Sequence, residues 1–303
     1  MLDRRQLMTR VAGAVIAGLV IPRRGAAQAT TAALSERLSL ITSGGTNVLT
    51  LSTPDGLVLV DSGAPDRSDA LLADLASLSR GGVRTVFNTH YHPANTGANE
   101  MLRQGSATIV AHENTRLWMA TPVWNPAEDR YRPPRPVAAQ PTQTFRTEGS
   151  MTVGGERLDY GYLIEAHTSG DIYVRFGGAN VLAVGDVLSP ISDPELDYFT
   201  GAWIGGRVDA MDRLLALCDE GTRVVPGFGP VMTKAELKAE RDVMKAVYDR
   251  TVDQVREGDD ATDMLKAGVL NGLARTWKDP QRFLYDVQKG LWGHHNKLSP
   301  NVV

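Results

Sequence analysis

The fold of this chain is decided by the stretch Asn88-Thr89-His90-Tyr91-His92-Pro93-Ala94-Asn95-Thr96-Gly97. His90 and His92 are separated by one residue, and on an extended segment such a pair points to the same side. Both imidazoles can therefore reach one metal ion, which zinc-bound histidines do at ~2.0–2.1 Å. The apolar run at residues 83–87 predicts a buried strand that ends just before the pair. Because a chain with six histidines can contain a His-x-His pair by chance, its meaning depends on the motifs around it.

Four further motifs accompany the histidine pair. They are Leu59-Val60-Asp61-Ser62-Gly63 upstream, and His167-Thr168-Ser169-Gly170-Asp171, Val184-Gly185-Asp186 and Val225-Pro226-Gly227-Phe228-Gly229-Pro230 downstream. In this order and spacing, the five motifs resemble those of the metallo-β-lactamase superfamily of hydrolases. The resemblance implies an α/β (α+β) fold, a four-layer αββα sandwich. Members of that superfamily act on lactams, thioesters, phosphodiesters, lactones and persulfides.

The resemblance is incomplete at the metal positions. Members of the superfamily usually hold two metal ions. The ligands that the resemblance implies for the first metal are all present: His90, His92 and His167. The second metal would need an aspartate and two histidines where this chain has Ala94, Asn95 and Phe228. Alanine and phenylalanine cannot ligate, and a neutral amide is a poor substitute for imidazole on zinc. Because the three losses fall on one metal, we expect a single retained site.

Asp186 bridges the two metals in dinuclear relatives, so here it is free to serve the single metal. It can be the fourth ligand of a closed site, or it can hold a bound water beside three histidines as the catalytic carboxylate. For Asp61 the sequence favours a supporting role, in which it accepts a hydrogen bond from a ligand histidine or braces its own turn. Asp171 could act in the same way, or it could cap a turn.

The N-terminus carries the features of an export signal. A twin-arginine motif at residues 3–8 is followed by a short apolar core from Val11 to Ile21 and by a small-residue cleavage site at residues 27–29. A membrane anchor is the alternative, but about 11 apolar residues fall short of the ~20 that span a bilayer. We therefore expect residues 1–29 to be a signal peptide for the twin-arginine route. The mature protein would be periplasmic or extracellular, without stable membrane insertion.

Charge and cysteine content narrow the class of partner. Residues 1–29 hold five arginines and one aspartate, so their removal changes the formal net charge from −3 to −7. A mildly acidic chain with no basic run argues against nucleic-acid or anionic-lipid partners and favours a small-molecule substrate. The single cysteine, Cys218, excludes an intrachain disulfide, and its helical spacing from apolar neighbours predicts a core position. The sequence gives no indication of oligomeric state.

Apolar patterning divides the remaining chain into two parts. Residues 34–232 contain two groups of predicted strands, each followed by helices, as a two-sheet sandwich requires. Residues 121–142 interrupt this domain with six prolines and predict a long loop, which is either a lid over the site or a plain surface insertion. Residues 233–303 predict helices only, and we expect this extension to dock on the sandwich.

Three functions are compatible with these features. The first is a hydrolase with one zinc ion that activates water, although the carboxylate usual at position 94 is missing and Asp186 is the only obvious replacement. The second is an iron enzyme similar to the persulfide dioxygenases of the superfamily, with Fe²⁺ held by His90 or His92 together with His167 and Asp186. The third is a non-catalytic binding protein with a structural zinc, which Phe228 favours because an apolar ring would fill or dry the second metal position.

Overall fold

The computed structural model describes residues 29–125 and 129–298. The predicted signal peptide, residues 1–29, lies outside these ranges except for its last residue. The strands, in chain order, are β1 (Thr30–Ala33), β2 (Leu38–Ser43), β3 (Thr46–Thr53), β4 (Gly56–Val60), β5 (Val83–Phe87), β6 (Thr108–His112), β7 (Val123–Asn125), β8 (Arg130–Arg132), β9 (Gln143–Phe145), β10 (Glu148–Val153), β11 (Glu156–Tyr162), β12 (Ile172–Phe176), β13 (Val181–Gly185) and β14 (Arg223–Pro226). The α-helices are α1 (Ser68–Leu78), α2 (Pro93–Thr96), α3 (Asn99–Gln104), α4 (Glu113–Ala120), α5 (Ile204–Leu217), α6 (Lys234–Glu257), α7 (Ala261–Lys266) and α8 (Pro280–Leu298).

The strands form two large sheets. The first sheet has the order β1-β2-β3-β4-β5-β6-β9, antiparallel up to β4 and parallel from β4 onward. The second has the order β10-β11-β12-β13-β14, antiparallel except for the last pair. The parallel pairs β4–β5 and β13–β14 bring the ends of strands from distant parts of the chain to one edge of the sandwich.

The period-two alternation of apolar side chains explains how the layers stack. In β4, Val58 and Val60 face the core between the two sheets, while Leu57 and Leu59 face the core under α1 and α3. In β13, alternate residues face the same inter-sheet core and a third core under α5, α6 and α8. Strands that are buried on both faces read as continuous apolar runs, as these do. The two sheets with helices outside each confirm the predicted αββα sandwich.

The segment between Thr121 and Thr142 differs from the prediction. Instead of an irregular loop, it contains a two-stranded antiparallel hairpin, β7–β8, in which the rings of Trp124 and Tyr131 contact each other at 5.1 Å between centroids. The sequence did not indicate strands here because each strand is three residues long and prolines flank the hairpin. The hairpin stands beside the metal-ligand residues described below.

The C-terminal helices share their core with the second sheet. Helix α6 begins with a capping box in which Thr233 and Glu236 satisfy each other's backbone N–H groups, and it ends at Gly258, whose φ of 98° favours glycine. The apolar faces of α6 and α8 pack with residues of β13 and α5 in one continuous cluster. No helix in residues 29–125 and 129–298 is long and apolar enough to cross a membrane.

Candidate metal centre

Four side chains meet at the edge of the sandwich where the strands end. His90 and His92 follow β5, His167 lies in the loop between β11 and β12, and Asp186 directly follows β13. One ligand atom from each of these residues lies within 4.8 Å of the others. The sequence-predicted set of three histidines and one aspartate therefore forms one compact cluster.

His90 is oriented by a relay that begins at Asp61. The carboxylate of Asp61 accepts hydrogen bonds from the backbone N–H of Thr89, at 2.8 Å, and from its hydroxyl, at 2.8 Å. Because that hydroxyl donates to Asp61, it accepts from Nδ1–H of His90, at 3.0 Å. This leaves Nε2 of His90 with a lone pair, and among the described residues this buried nitrogen has no hydrogen-bond partner. Asp61 thus braces the threonine before His90 rather than a ligand histidine directly.

His92 and His167 are oriented by groups that accept a hydrogen bond from their outer nitrogens. Nε2 of His92 lies 3.1 Å from Oδ2 of Asp197, and Nδ1 of His167 lies 2.9 Å from the carbonyl oxygen of Glu195. Since both neighbours are acceptors, both ring nitrogens carry the proton. The lone pairs are then on Nδ1 of His92 and Nε2 of His167, and these two nitrogens face each other at 3.0 Å.

Two facing lone pairs require a cation between or beside them. Burial lowers the pKa of His92, but the hydrogen bond to Asp197 and the charges of Glu195, Asp197 and Asp186 raise it to about 9. Burial, with the neighbouring His92, lowers the pKa of His167 to about 4. A single proton shared by the pair satisfies both rings in the metal-free protein, and a metal ion would take its place. The oriented lone pairs and the orphaned Nε2 of His90 therefore fit a metal.

Asp186 completes the set from the opposite side. Its Oδ2 lies 3.7 Å from Nε2 of His90 and 3.8 Å from Nε2 of His167. Burial, the largest effect, raises the pKa of Asp186 to about 7 even though the charge of His92 lowers it. Three imidazole nitrogens and one carboxylate oxygen are the donor types that zinc binds.

Asp171 and Arg207 hold the segments around His167 in place through hydrogen bonds to the backbone. The carboxylate of Asp171 accepts from the backbone N–H of His167 and from both the backbone N–H and the hydroxyl of Thr168. This is the capping role considered for Asp171. Arg207, in α5, is completely buried and donates to the carbonyl oxygens of Asp186, at 2.9 Å, and Glu195, at 2.8 Å. One guanidinium therefore ties together the two segments that carry Asp186 and Glu195.

Asp197 and Arg207 were not found by sequence reasoning. Both lie outside the five motifs, and Asp197 is separated from His92 by 105 positions. The chain contains 35 acidic residues, so one more aspartate in a loop carries no signal of its own. Tyr91 also donates a short hydrogen bond from its hydroxyl to Asp197. The hydrogen bonds from His92 and Tyr91 lower the pKa of Asp197 despite its burial, which by itself raises that pKa.

The positions of the second metal are occupied by other side chains. Nδ2 of Asn95 lies 3.1 Å from Oδ2 of Asp61 and 3.4 Å from Oδ1 of Asp186, so an amide donor sits between two carboxylates. A Cβ atom on Gly227 would come within 2.0 Å of Oδ1 of Asp186, which explains why only glycine fits there. Phe228 pairs with Thr46 through an isolated β-bridge and lines the cleft beside Asp186. Ala94, in α2, offers no ligand atom.

Two clefts flank the cluster. The first, here called the polar cleft, is lined by His167, Asp186 and Phe228, with Ser189, Ser192 and Lys278 around them. The second, here called the aromatic cleft, lies on the other side, between the β7–β8 hairpin and residues 195–199, and reaches His92. Both are open to solvent, so small molecules can approach the cluster from two sides.

Comparison with known proteins agrees with this architecture. The family model described as the metallo-beta-lactamase superfamily matches residues 41–246, more than half of the chain. The metallo-beta-lactamase type 2 of Bacillus cereus is 25% identical over 200 residues, which cover 66% of this chain and 73% of that protein.

Solved structures give the same result for the fold. A metallo-beta-lactamase from Pontibacter korlensis superposes with a TM-score of 0.60 at 22% identity, covering 72% of this chain and 99% of that one. The metallo-beta-lactamase DIM-1 superposes with a TM-score of 0.57 at 20% identity, covering 72% of this chain and 97% of that one. The match to the family model and the shared fold lead to one conclusion. The chain belongs to the metallo-β-lactamase superfamily.

Proposed function

We propose that this protein is an exported metal-dependent hydrolase that acts on a small-molecule substrate with a single metal ion, by preference zinc. The observation that carries the proposal is the orientation of the three histidines. Each has its outer nitrogen engaged by an acceptor, so the three inner nitrogens converge on the point that Asp186 also faces. Such supporting hydrogen bonds are the rule at metal-binding histidines.

The donor set supports zinc over iron. An iron site of the two-histidine, one-carboxylate kind leaves one of the three histidines outside the set. Here the three rings lie at equal centroid distances of 4.8 Å from one another, with no ring set apart. Three imidazoles with one carboxylate suit zinc, and no contact of His90, His92 or His167 favours the iron alternative.

The chemistry that zinc supplies when bound is polarisation of a carbonyl or phosphoryl oxygen and a lowered pKa of water. The protein must then provide a group that accepts the proton of the attacking water. Position 94 holds alanine, so in this proposal the acceptor is the carboxylate of Asp186, the one carboxylate in the cluster. Nδ2 of Asn95 donates to Oδ1 of this carboxylate at 3.4 Å and so helps to orient it.

Access to the cluster favours catalysis over a purely structural metal. Structural zinc sites are closed, whereas catalytic sites keep an open position. Asp186 and His167 line the polar cleft, and 15% of the Asp186 side chain is exposed. A substrate can therefore reach the carboxylate side of the cluster. This supports the hydrolase over the non-catalytic binding protein.

Metal analysis combined with an assay tests the proposal. Protein purified without chelator should contain close to one zinc per chain. It should hydrolyse at least one member of a panel of lactam, lactone, thioester and phosphodiester substrates, and His167→Ala should lose both the metal and the activity. Two tightly bound metals per chain would contradict the single site. One zinc with no turnover of any substrate class would favour the binding protein instead.

Export has its own test. The proposal places the mature protein in the periplasm or outside the cell, delivered through the twin-arginine route. Replacing Arg4 and Arg5 together by lysine should keep the full-length protein in the cytoplasm, since paired arginines are the recognised feature of that signal. Equal export of the variant and the parent would contradict this part of the proposal.

A further inference from the structure

The aromatic cleft has the composition of a ligand site. Its walls come from α4, the β7–β8 hairpin and residues 195–199. At its inner end it reaches His92 and Asp197, which belong to the metal centre. The cleft therefore connects the metal centre to a surface that the family motifs do not describe.

The walls contain aromatic rings that do not belong to the three hydrophobic cores. Trp118 is fixed by a hydrogen bond from its Nε1 to the hydroxyl of Ser169, at 2.8 Å, and Trp124 is held by edge contact with Tyr131. Phe199 is 42% exposed and lies at the opposite wall. Fixed, partly exposed aromatic rings around a concave space are typical of sites that bind an apolar or aromatic group.

The same cleft contains the guanidinium of Arg135, which lies near the charge of Glu100 without a direct ion pair to it among the described residues. Arg135 is half-buried, and its guanidinium donates to the hydroxyl and carbonyl oxygens of Thr96 at 3.3 and 3.4 Å. Within residues 29–125 and 129–298, it forms no ion pair with a carboxylate. By contrast, Arg282 on the same cleft is paired with Asp286 at 3.1 Å. A half-buried guanidinium with two long hydrogen bonds has donors left for a planar anion, which arginine binds with two parallel hydrogen bonds.

The position of Arg135 places such an anion close to the metal centre. Arg135 contacts Thr96 in α2, and the hydroxyl of Thr96 donates to the carbonyl oxygen of His92 at 3.0 Å. Arg135 is therefore linked through one residue, Thr96, to the backbone of the metal-ligand candidate His92. Two acidic residues, Glu195 and Asp197, also line the inner end of the cleft, and Asp197 is engaged by His92 and Tyr91.

We propose that the aromatic cleft binds the aromatic carboxylate portion of the substrate, with the ring between Trp118, Trp124 and Phe199 and the carboxylate on Arg135. The inference rests on the proposed function and names its substrate class: an acyl compound with an aromatic arm and a free acid group. The β7–β8 hairpin is then the element that determines specificity.

Binding of a simple probe pair tests this assignment. The full-length, zinc-loaded protein is titrated calorimetrically with 2-naphthoate and with 2-naphthamide, which has the same ring but no charge. We expect 2-naphthoate to bind at least about tenfold more tightly. Arg135→Gln should weaken 2-naphthoate by about ten- to a hundredfold, the usual range for a charged hydrogen-bonded contact, and leave 2-naphthamide unchanged. Arg103→Gln, an exposed arginine on α3, is the matched control and should change neither affinity.

Further measurements distinguish this proposal from its alternatives. Trp124→Leu should weaken both probes equally, and it replaces Arg135→Gln as the test if circular dichroism shows that the arginine variant does not fold. Equal affinity for the two probes would overturn the proposal. So would 2-naphthoate binding that disappears with the metal but survives Arg135→Gln, because the carboxylate would then sit on the metal. Arg135-dependent binding in a protein that hydrolyses nothing contradicts the hydrolase function and leaves this site standing.

Discussion

The contact between Asp197 and His92 is a feature of the site that the sequence does not predict. The clustering of His90, His92, His167 and Asp186 was predictable, because each of these residues stands in one of the five motifs. Asp197 orients His92 from a loop that follows no motif, and only the folded chain brings the two together. A residue that supports a ligand can lie on any segment that passes close to the site. Its position in the sequence is therefore set by the course of the loops and does not show a regular spacing.

The charge of Asp197 should matter for metal affinity. Asp197→Asn keeps an acceptor near Nε2 of His92 but removes the negative charge that strengthens the ligand. We expect the zinc dissociation constant to rise about 10–100-fold, the usual effect of losing such a partner. Competition with a chromogenic chelator measures this. Asp249→Asn on α6, which removes a surface ion pair with Lys245, is the control and should have no effect. An unchanged affinity in Asp197→Asn would show that Asp197 does not support the metal.

The metal-free protein should lose stability as the pH rises. The pKa of His92 is raised from 6.5 to about 9 in the folded chain, so its proton stabilises the fold below 6.5 and this stabilisation is lost as the pH rises through about 9. Urea unfolding of metal-free protein across this range should show a loss of roughly 3 kcal/mol in the free energy of unfolding.

The zinc-loaded protein and one variant serve as controls for this slope. The metal replaces the shared proton, so the zinc-loaded protein should not show the loss. Burial raises the pKa values of Asp61 and Asp186 to about 7, so these two groups release their protons near the lower end of this pH range. His92→Gln therefore isolates the histidine contribution and should flatten the slope above about 7. Equal stability of the metal-free parent at both ends of the range would contradict the shared-proton arrangement.

The long strands and helices were predictable from the sequence, and the short ones were not. Strands β3 and β4 and helix α6 carry clear apolar patterning along their whole length, so the sequence indicates them. Helices α2 and α3 and the β7–β8 hairpin have six or fewer residues in each element, too few for a period to show. Strand β1 escaped prediction because all four of its residues are exposed, so no apolar alternation marks it.

Helix α2 carries the change that separates this chain from dinuclear relatives. It holds Ala94 and Asn95, and the Asn95 amide lies between the carboxylates of Asp61 and Asp186. Replacing Ala94→Asp, Asn95→His and Phe228→His together should raise the zinc content from one to about two per chain. Each single change should have little effect, because one ligand cannot hold a metal without its partners. Metal analysis after gel filtration measures the stoichiometry.

One result for the triple variant would contradict this prediction. Phe228 is partly exposed and paired with Thr46 only through a backbone bridge, so an imidazole at this position should be tolerated. A folded triple variant that still binds one zinc would show that the pocket has been remodelled beyond these three side chains. The non-catalytic binding function would then be favoured over the hydrolase.

At the scale of the whole molecule, the C-terminal helices are part of the sandwich's third core. Phe283, Leu284, Val287 and Leu291 of α8 are at most 2% exposed, and they pack in one cluster with Val184 of β13, Leu214 of α5 and Met244 of α6. The family model ends at residue 246, inside α6, so α7 and α8 lie beyond it. The sequence predicted amphipathic helices here, but the partner of an apolar face depends on the tertiary arrangement and not on its own pattern.

We therefore expect the C-terminal segment not to fold without the sandwich. A fragment of residues 233–303 has about 70 residues in three helices, whose shared core includes side chains from β13 and α5 that the fragment lacks. It should show no cooperative unfolding in circular dichroism. In the full chain, Leu284→Ala should cost about 2–5 kcal/mol, as truncation of a buried leucine does, and should lower a single unfolding transition rather than create a second one. The surface variant Lys238→Ala on α6 is the control. A fragment that melts cooperatively, or a variant with two separate transitions, would show that the helices form a domain of their own.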